Sequence, residues 1–279
     1  MIFERIQTSA EQLTRSEQKL IRELLARPRD VALGTAGELA RRIGVHEATV
    51  SRLARKLGFE NYAHFRDAIR QEFIVKTDPA TRVRNTLAAT AHGSILGDLV
   101  AQEAQALTSI TDCVSDAAIE GAAAALEAAR KVFIFARGNA EALAVLADRR
   151  LRRIGVDTVV LSGDARDLAE RLAAMEKPDA LIGFAFRRTP RHWSKVVGHA
   201  ADIGAVAVTI SDTLGPSLLP RGDHLLFAPR SGSEEAFQTL LVPMTITNAL
   251  ILQMARSDER RSMERLERVG TLLARFDTR

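Results

Sequence analysis

The sequence has one cysteine, Cys113, among its 279 residues, which excludes a disulfide framework and a thiolate metal cluster. No apolar run is long enough to cross a bilayer, which takes about 20 residues. The start, MIFERIQTSAEQ, lacks the apolar core of a secretion signal. There is no H-E-x-x-H zinc motif, no P-loop and no nucleophile elbow. Internal repeats and low-complexity tracts are missing too. What is there is 46% hydrophobic and 27% charged, the balance of a globular protein long enough for two domains. A reducing cytoplasm is the expected compartment, with no membrane partner, metal or cofactor.

The net charge of +4 is unevenly spread. Residues 1–77 hold 14 Lys/Arg against 10 Asp/Glu, while residues 78–279 hold 25 of each. The whole excess therefore sits on the N-terminal part, as expected for a polyanion-binding head on a neutral body.

Within that head, Thr35 to Phe59 reads as two short amphipathic helices joined at Gly44. Thr35 and Glu38 form a T-x-x-E capping box. Leu39, Ala40 and Ile43 share an inner face, Gly44 supplies the positive φ of a tight turn, and Val45 plugs the core behind it. Val50, Leu53, Ala54 and Leu57 fall at i, i+3, i+4 and i+7, a core stripe. The opposite face carries His46, Glu47, Ala48, Thr49, Ser51, Arg52, Arg55 and Lys56. Small and hydroxylated residues at the start of the second helix suit close approach to base edges, and the cations one turn later suit phosphates. With Thr35, these are the candidate contacts of a helix-turn-helix reader to double-stranded DNA. His46 is a poor N-cap residue, so a phosphate or base contact is expected of it instead.

The rest of the head reads as helix. Thr14 and Glu17 open LTRSEQKLIRELLAR, which ends at Pro28, and Phe65, Ile69 and Phe73 form a packing stripe behind the reader. KTDP at 76–79 reads as a break. Expected domains are the head at 1–77, a helical linker at 78–114, an α/β domain at 115–256 and a charged helical tail at 257–279. Ser115 is an expected N-cap. From Lys131 short apolar runs alternate with helical segments: KVFIFA, TVVLS, DALIGFAF, VAVTIS and HLLFAP. Unbroken apolar runs predict strands buried on both faces, hence a five-stranded parallel, doubly wound sheet. The last apolar helix is expected at 234–254.

A helix-turn-helix head, a helical linker and such a body resemble the RpiR/MurR-type bacterial transcription regulators. The likeness is strongest in VHEATVSRLARKLGFENYAHFRDAI and in GAVAVTISDTLGPSLLPRGDHLLF. The resemblance implies a sugar-isomerase (SIS) fold for the body, a homodimer or homotetramer on a palindromic operator, and an effector, usually a phosphorylated sugar, at the carboxyl ends of the strands. Ligands of open α/β sheets bind at those ends on general grounds.

Two loops depart from the family pattern. Where the family has G-x-G-x-S, this chain has Ala136, Arg137, Gly138, Asn139 and Ala140. Where it has S-x-S-G-x-T, this chain has Phe184, Ala185, Phe186, Arg187, Arg188 and Thr189. A nest of hydroxyls has become an aromatic, dibasic rim. Arginine still binds carboxylate or phosphate in a two-pronged way, so a small anionic effector is expected that need not be a sugar phosphate. Arg137, Arg187 and Arg188 are its expected charge partners, with Gly138, Asn139 and Thr189 as a hydrogen-bonding floor and Ser211 and Glu234 completing the set. The alternative is that Phe184 and Phe186 are sheet core and the arginines face solvent or an interface.

An isomerase or lyase is the competing function, because some SIS proteins are enzymes. Such chemistry needs a general base near the sugar carbons. The body's histidines are His192, His199 and His224, with the first two seven apart on one expected helix face, and Glu234 and Glu235 are expected to serve a helix dipole. No catalytic residue is assigned. A sensor whose head binds protein is a third class.

Overall fold

A computed structural model describes residues 5–6, 9, 13–26, 31, 34–73, 79–90, 94–232 and 236–277; of residues 70–73 it describes the backbone only. Two compact units emerge: Met1–Ile95 with Glu234–Phe237, and Leu96–Ser233 with Gln238–Arg279.

The first unit contains helices α1 (Arg15–Ala26), α2 (Ala36–Ile43), α3 (Glu47–Lys56), α4 (Tyr62–Phe73) and α5 (Pro79–Ala89). Both T-x-x-E boxes form. The Glu17 amide donates to Thr14 Oγ1, and the Thr14 amide donates to the Glu17 carboxylate at 2.8 Å. Thr35 and Glu38 do the same ahead of α2. Gly44 closes α2 at φ 69° and ψ 43°, a left-handed conformation that glycine adopts without a Cβ penalty. Leu39, Ala40, Val50, Leu53, Ala54, Leu57, Phe65 and Ile69 are buried together, with Ile43 and Val45 partly buried against them. The expected stripes are thus the core. Phe73's side chain, Pro28 and most of KTDP lie outside the described residues.

The second unit begins with the rest of α6 (Ile95–Thr108), followed by α7 (Asp116–Glu127), which Ser115 caps by accepting from the Ala118 amide at 3.2 Å. The sheet comprises β1 (Val132–Phe135), β2 (Thr158–Leu161), β3 (Ala180–Ala185), β4 (Val206–Ser211) and β5 (His224–Phe227). All neighbours pair in parallel, in the order β2-β1-β3-β4-β5. Helices α8 (Glu141–Arg153), α9 (Ala165–Leu172) and α10 (Trp193–Ile203) are the crossovers, and α11 (Leu241–Ser257) and α12 (Glu259–Asp277) end the chain.

Alternate strand residues face two separate cores. Val132, Ile134, Ile182, Phe184, Val208 and Ile210 pack with α7, α8 and α11. Phe133, Phe135, Leu181, Ala185 and Ala207 pack with α9 and α10. Both faces are covered, which is why the strands read as unbroken apolar runs. Gly183 is required by contact: a Cβ there would lie 2.8 Å from the ring of the buried Trp193.

One boundary is corrected. The last large helix starts at Leu241 rather than 234. Pro243 falls in its first turn, where a missing N–H costs nothing, and Thr239 Oγ1 accepts from the Leu241 amide at 3.2 Å. Glu234 and Glu235 lie outside the described residues.

Candidate functional site

The head offers one outward face. Glu47, Ala48, Arg52 and Arg55 on α3 are exposed, and Thr49 and Ser51 are half-buried. Arg52 donates to Thr49 Oγ1 at 3.4 Å, which lays its guanidinium along the helix. Two expectations are corrected. His46 does cap α3: at φ −76° and ψ 142° its Nδ1 accepts from the Ala48 amide at 3.2 Å. Nδ1 therefore carries the lone pair and Nε2 the proton, so the exposed ring keeps a donor. Lys56 is not part of the outward set, because its ammonium pairs with Glu17 at 2.9 Å and ties α3 to α1. Burial pushes the Glu17 carboxyl up, but the Thr14 amide and hydroxyl and the Lys56 ammonium outweigh this and hold it below its ordinary range. Thr35 spends its hydroxyl on the capping box.

In the body, strand order reverses between β1 and β3, and the crevice above their carboxyl ends is where such sheets bind ligands. The loop after β3 is strained. Arg187 (φ 65°) and His192 (φ 71°) are the positive-φ residues other than glycine among the described residues. The Arg188 amide donates to the Phe186 carbonyl at 2.7 Å, so Arg187 sits at the centre of a three-residue turn in its costly form. Its own amide donates to both oxygens of Asp212, at 3.1 and 3.0 Å. Asp212 also accepts from the Leu214 amide at 3.1 Å and is 2% exposed. The loop after β1 is open. A Cβ on Gly138 (φ 63°) would meet nothing within 4 Å, and Gly138 and Asn139 are exposed where α8 begins.

A partly buried arginine, Arg230, follows β5. The Arg230 guanidinium lies 5.1 Å from the centre of the Phe186 ring, and its Nε donates to Gln238 Oε1 at 3.1 Å. Gln238 donates to the Ser231 carbonyl at 2.9 Å. Ser231 and Thr239 hydroxyls each donate to Glu103 Oε1 at 2.6 Å. Burial pushes the Arg230 guanidinium below its usual value, and the charges of Asp212 and Glu103 partly offset that.

Residues 1–76 match the family model described as "Helix-turn-helix domain, rpiR family". The head is thus similar to the helix-turn-helix domain of the rpiR family. The chain is 24% identical over 232 residues to an uncharacterized HTH-type transcriptional regulator of Haemophilus influenzae, covering 81% of this chain and 78% of that one. Its body shares the fold of the sugar isomerase domain of an RpiR transcription factor from Sphaerobacter thermophilus, at TM-score 0.58 and 23% identity, over 63% of this chain and 97% of that one. The Vibrio vulnificus NanR protein complexed with ManNAc-6P aligns over 100% of both chains at TM-score 0.58 and 16% identity. The chain spans only 33% of the Burkholderia orbicola bifunctional protein glk, which it matches at 24% identity.

Against the RpiR-type pattern, the expected effector residues separate. Gly138, Asn139, Arg188 and Thr189 are exposed on the loops at the strand ends. Arg137 is corrected: its guanidinium donates to the carbonyls of Leu161 (3.2 Å) and Gly163 (3.1 Å) and lies 4.9 Å from the Phe135 ring, so it straps β1 to the end of β2. Ser211 is corrected too. It is fully buried and its hydroxyl donates to the Ala185 carbonyl, joining β4 to β3. Phe184 is core and Phe186 half-buried against it. Arg187 contributes its backbone, in the left-handed state that the family's glycine would take freely. Glu234 is outside the described residues. His192 precedes α10 rather than lying on it, and His199 Nε2 is 3.2 Å from the Leu172 carbonyl, so no dyad forms. Sequence reasoning missed Glu103, Asp212 and Arg230. Only Asp212 had a local signal, as a carboxylate directly after a buried strand.

Proposed function

We propose that this regulator binds double-stranded operator DNA through the outward face of α3, and that a small anionic effector in the body controls that binding. The observation that carries the first half is the start of α3. Ala48, Thr49 and Ser51 keep the entry small, His46 presents Nε2–H, and Arg52 and Arg55 are exposed one turn on. A groove helix needs that order: short side chains at the base edges, cations at the phosphates. The strained loop after β3 and the open start of α8 support the second half, since helix N-termini and exposed amides favour anions. NanR was solved with ManNAc-6P, which makes a sugar phosphate the first effector to try.

The chain acts as a homodimer or homotetramer in the cytoplasm. Two heads then meet half-sites about 34–36 Å apart, and the effector shifts the balance by preferring one arrangement of subunits. Isomerase chemistry is the weaker reading, because His192 and His199 are placed by backbone geometry and by a carbonyl rather than by a carboxylate partner. A shift assay against the chain's own upstream DNA tests the reader. Arg52→Ala and Arg55→Ala each weaken binding about tenfold and reduce the salt slope by about 0.9. Unchanged affinity in both variants removes α3 as the reader.

A further inference from the structure

Two polar groups past the strand ends, one buried and one half-buried, have not been used by the proposed function. Glu103 on α6 is 6% exposed. Its Oε1 accepts from Ser231 and Thr239, while its Oε2 is buried with no hydrogen-bond partner among the described residues. Arg230 is the second: Nε donates to Gln238, the ring of Phe186 lies under the guanidinium, and Nη1 is buried without a hydrogen-bond partner among the described residues. The two belong to one network, running from Arg230 through Gln238 and Ser231 to Glu103. Buried polar atoms are nearly always satisfied, and a charged one left alone is expensive. Here an acceptor and a donor of opposite charge are both left with spare capacity beside the ends of β4 and β5.

We infer that Glu103 and Arg230 form a polar subsite for the hydroxyl-bearing end of the effector, opposite in character to its anionic end. This rests on the proposal that the effector binds at the strand ends. A hydroxyl meets both demands at once, donating to Glu103 Oε2 and accepting from Arg230 Nη1. A bare anion does not suit the position, because Asp212 and Glu103 set two carboxylates against one guanidinium. The anion belongs instead at the open turn of Gly138 and Asn139 and the exposed Arg188. Phe186 has a role in this picture. It stands where the family's loop has a hydroxyl, and it seats the arginine that takes over part of the polar work. A neutral sugar or inorganic phosphate would each satisfy only half the site.

The test uses the full chain with four probes: glucose 6-phosphate, glucosamine 6-phosphate, N-acetylmannosamine 6-phosphate and inorganic phosphate, read by calorimetric titration. At least one sugar phosphate is expected to bind wild type more tightly than inorganic phosphate. Glu103→Gln and Arg230→Met then weaken that sugar phosphate by about tenfold to a hundredfold, the usual loss for a hydrogen bond to a charged group. Inorganic phosphate binding stays within twofold. Ser231→Ala, which loosens Glu103 without removing it, gives a smaller loss and serves if a charged-site variant does not fold. Sugar-phosphate affinity that survives all three substitutions overturns the subsite alone. Wild type that ignores every sugar phosphate overturns the sugar-phosphate reading itself, and the subsite with it.

Discussion

The outward face of α3 and the strand ends both carry arginines, and they hold them differently. Arg52 and Arg55 stand exposed on a helix whose other side is core. At the strand ends, Arg137 lies across backbone carbonyls, Arg187 contributes its amide to Asp212, and Arg230 is half-buried on a phenyl ring. A cation on a helix face goes where the helical period sends it. A cation on a loop goes where a partner from another element accepts it. The same residue type is therefore a surface charge in one region and a structural strap in the other.

That contrast can be broken or sharpened region by region, because each unit has its own probe. The sole tryptophan, Trp193, is buried in the body, and the sole tyrosine, Tyr62, is buried in the head. The largest effect is expected from Asp212→Ala. It strands the amides of Arg187 and Leu214 and removes a carboxylate near Arg230, so the body loses about 3 kcal/mol. Denaturant unfolding followed by Trp193 fluorescence reads the loss, and an unchanged midpoint would mean that Asp212 is not structural.

His46→Asn comes next. Asparagine keeps the cap, so head stability stays within about 0.5 kcal/mol, while operator affinity drops because the ring donor is gone. Affinity equal to wild type would reduce His46 to a cap. Arg187→Gly relieves the left-handed strain and is expected to stabilise the body by about 0.5–1 kcal/mol, the gain being trimmed by the unfolded chain's added freedom. A loss of stability there would show that the Arg187 side chain outweighs its backbone.

The smallest effect is Glu17→Gln. The wild-type carboxyl is held below its usual 4.5 in the folded head. Its contribution is thus fully present above that value and is lost as pH falls through the lowered one. It amounts to about 0.5 kcal/mol at neutral pH, since the pair is partly exposed. Tyr62-monitored unfolding of the variant should show a flatter acid limb below about pH 4.5, and an identical limb would mean that the Lys56 pair adds nothing.

Much of the head was legible because its signals are local. Capping boxes, a left-handed glycine and an i, i+3, i+4, i+7 stripe each span a few residues and need no distant partner. Lys56 escaped that logic, since its fate depends on Glu17, 39 positions away. In the body, the strands and their order of appearance were legible from unbroken apolar runs. The strand order in the sheet was not, nor were Glu103 and Arg230 past the strand ends.

The chain's own pattern thus decides which segments are helix or strand, which faces are apolar and where charge accumulates, because periodicity acts over neighbours. Only the folded body decides which polar groups meet. Glu103 and Ser231 lie 128 positions apart and share a 2.6 Å hydrogen bond. Arg187 and Asp212 are joined across neighbouring strands by the parallel register of β3 and β4. Such pairs are chosen by sheet order and by the cost of burying a charge unpaired, and the residues on either side of one member do not name the other.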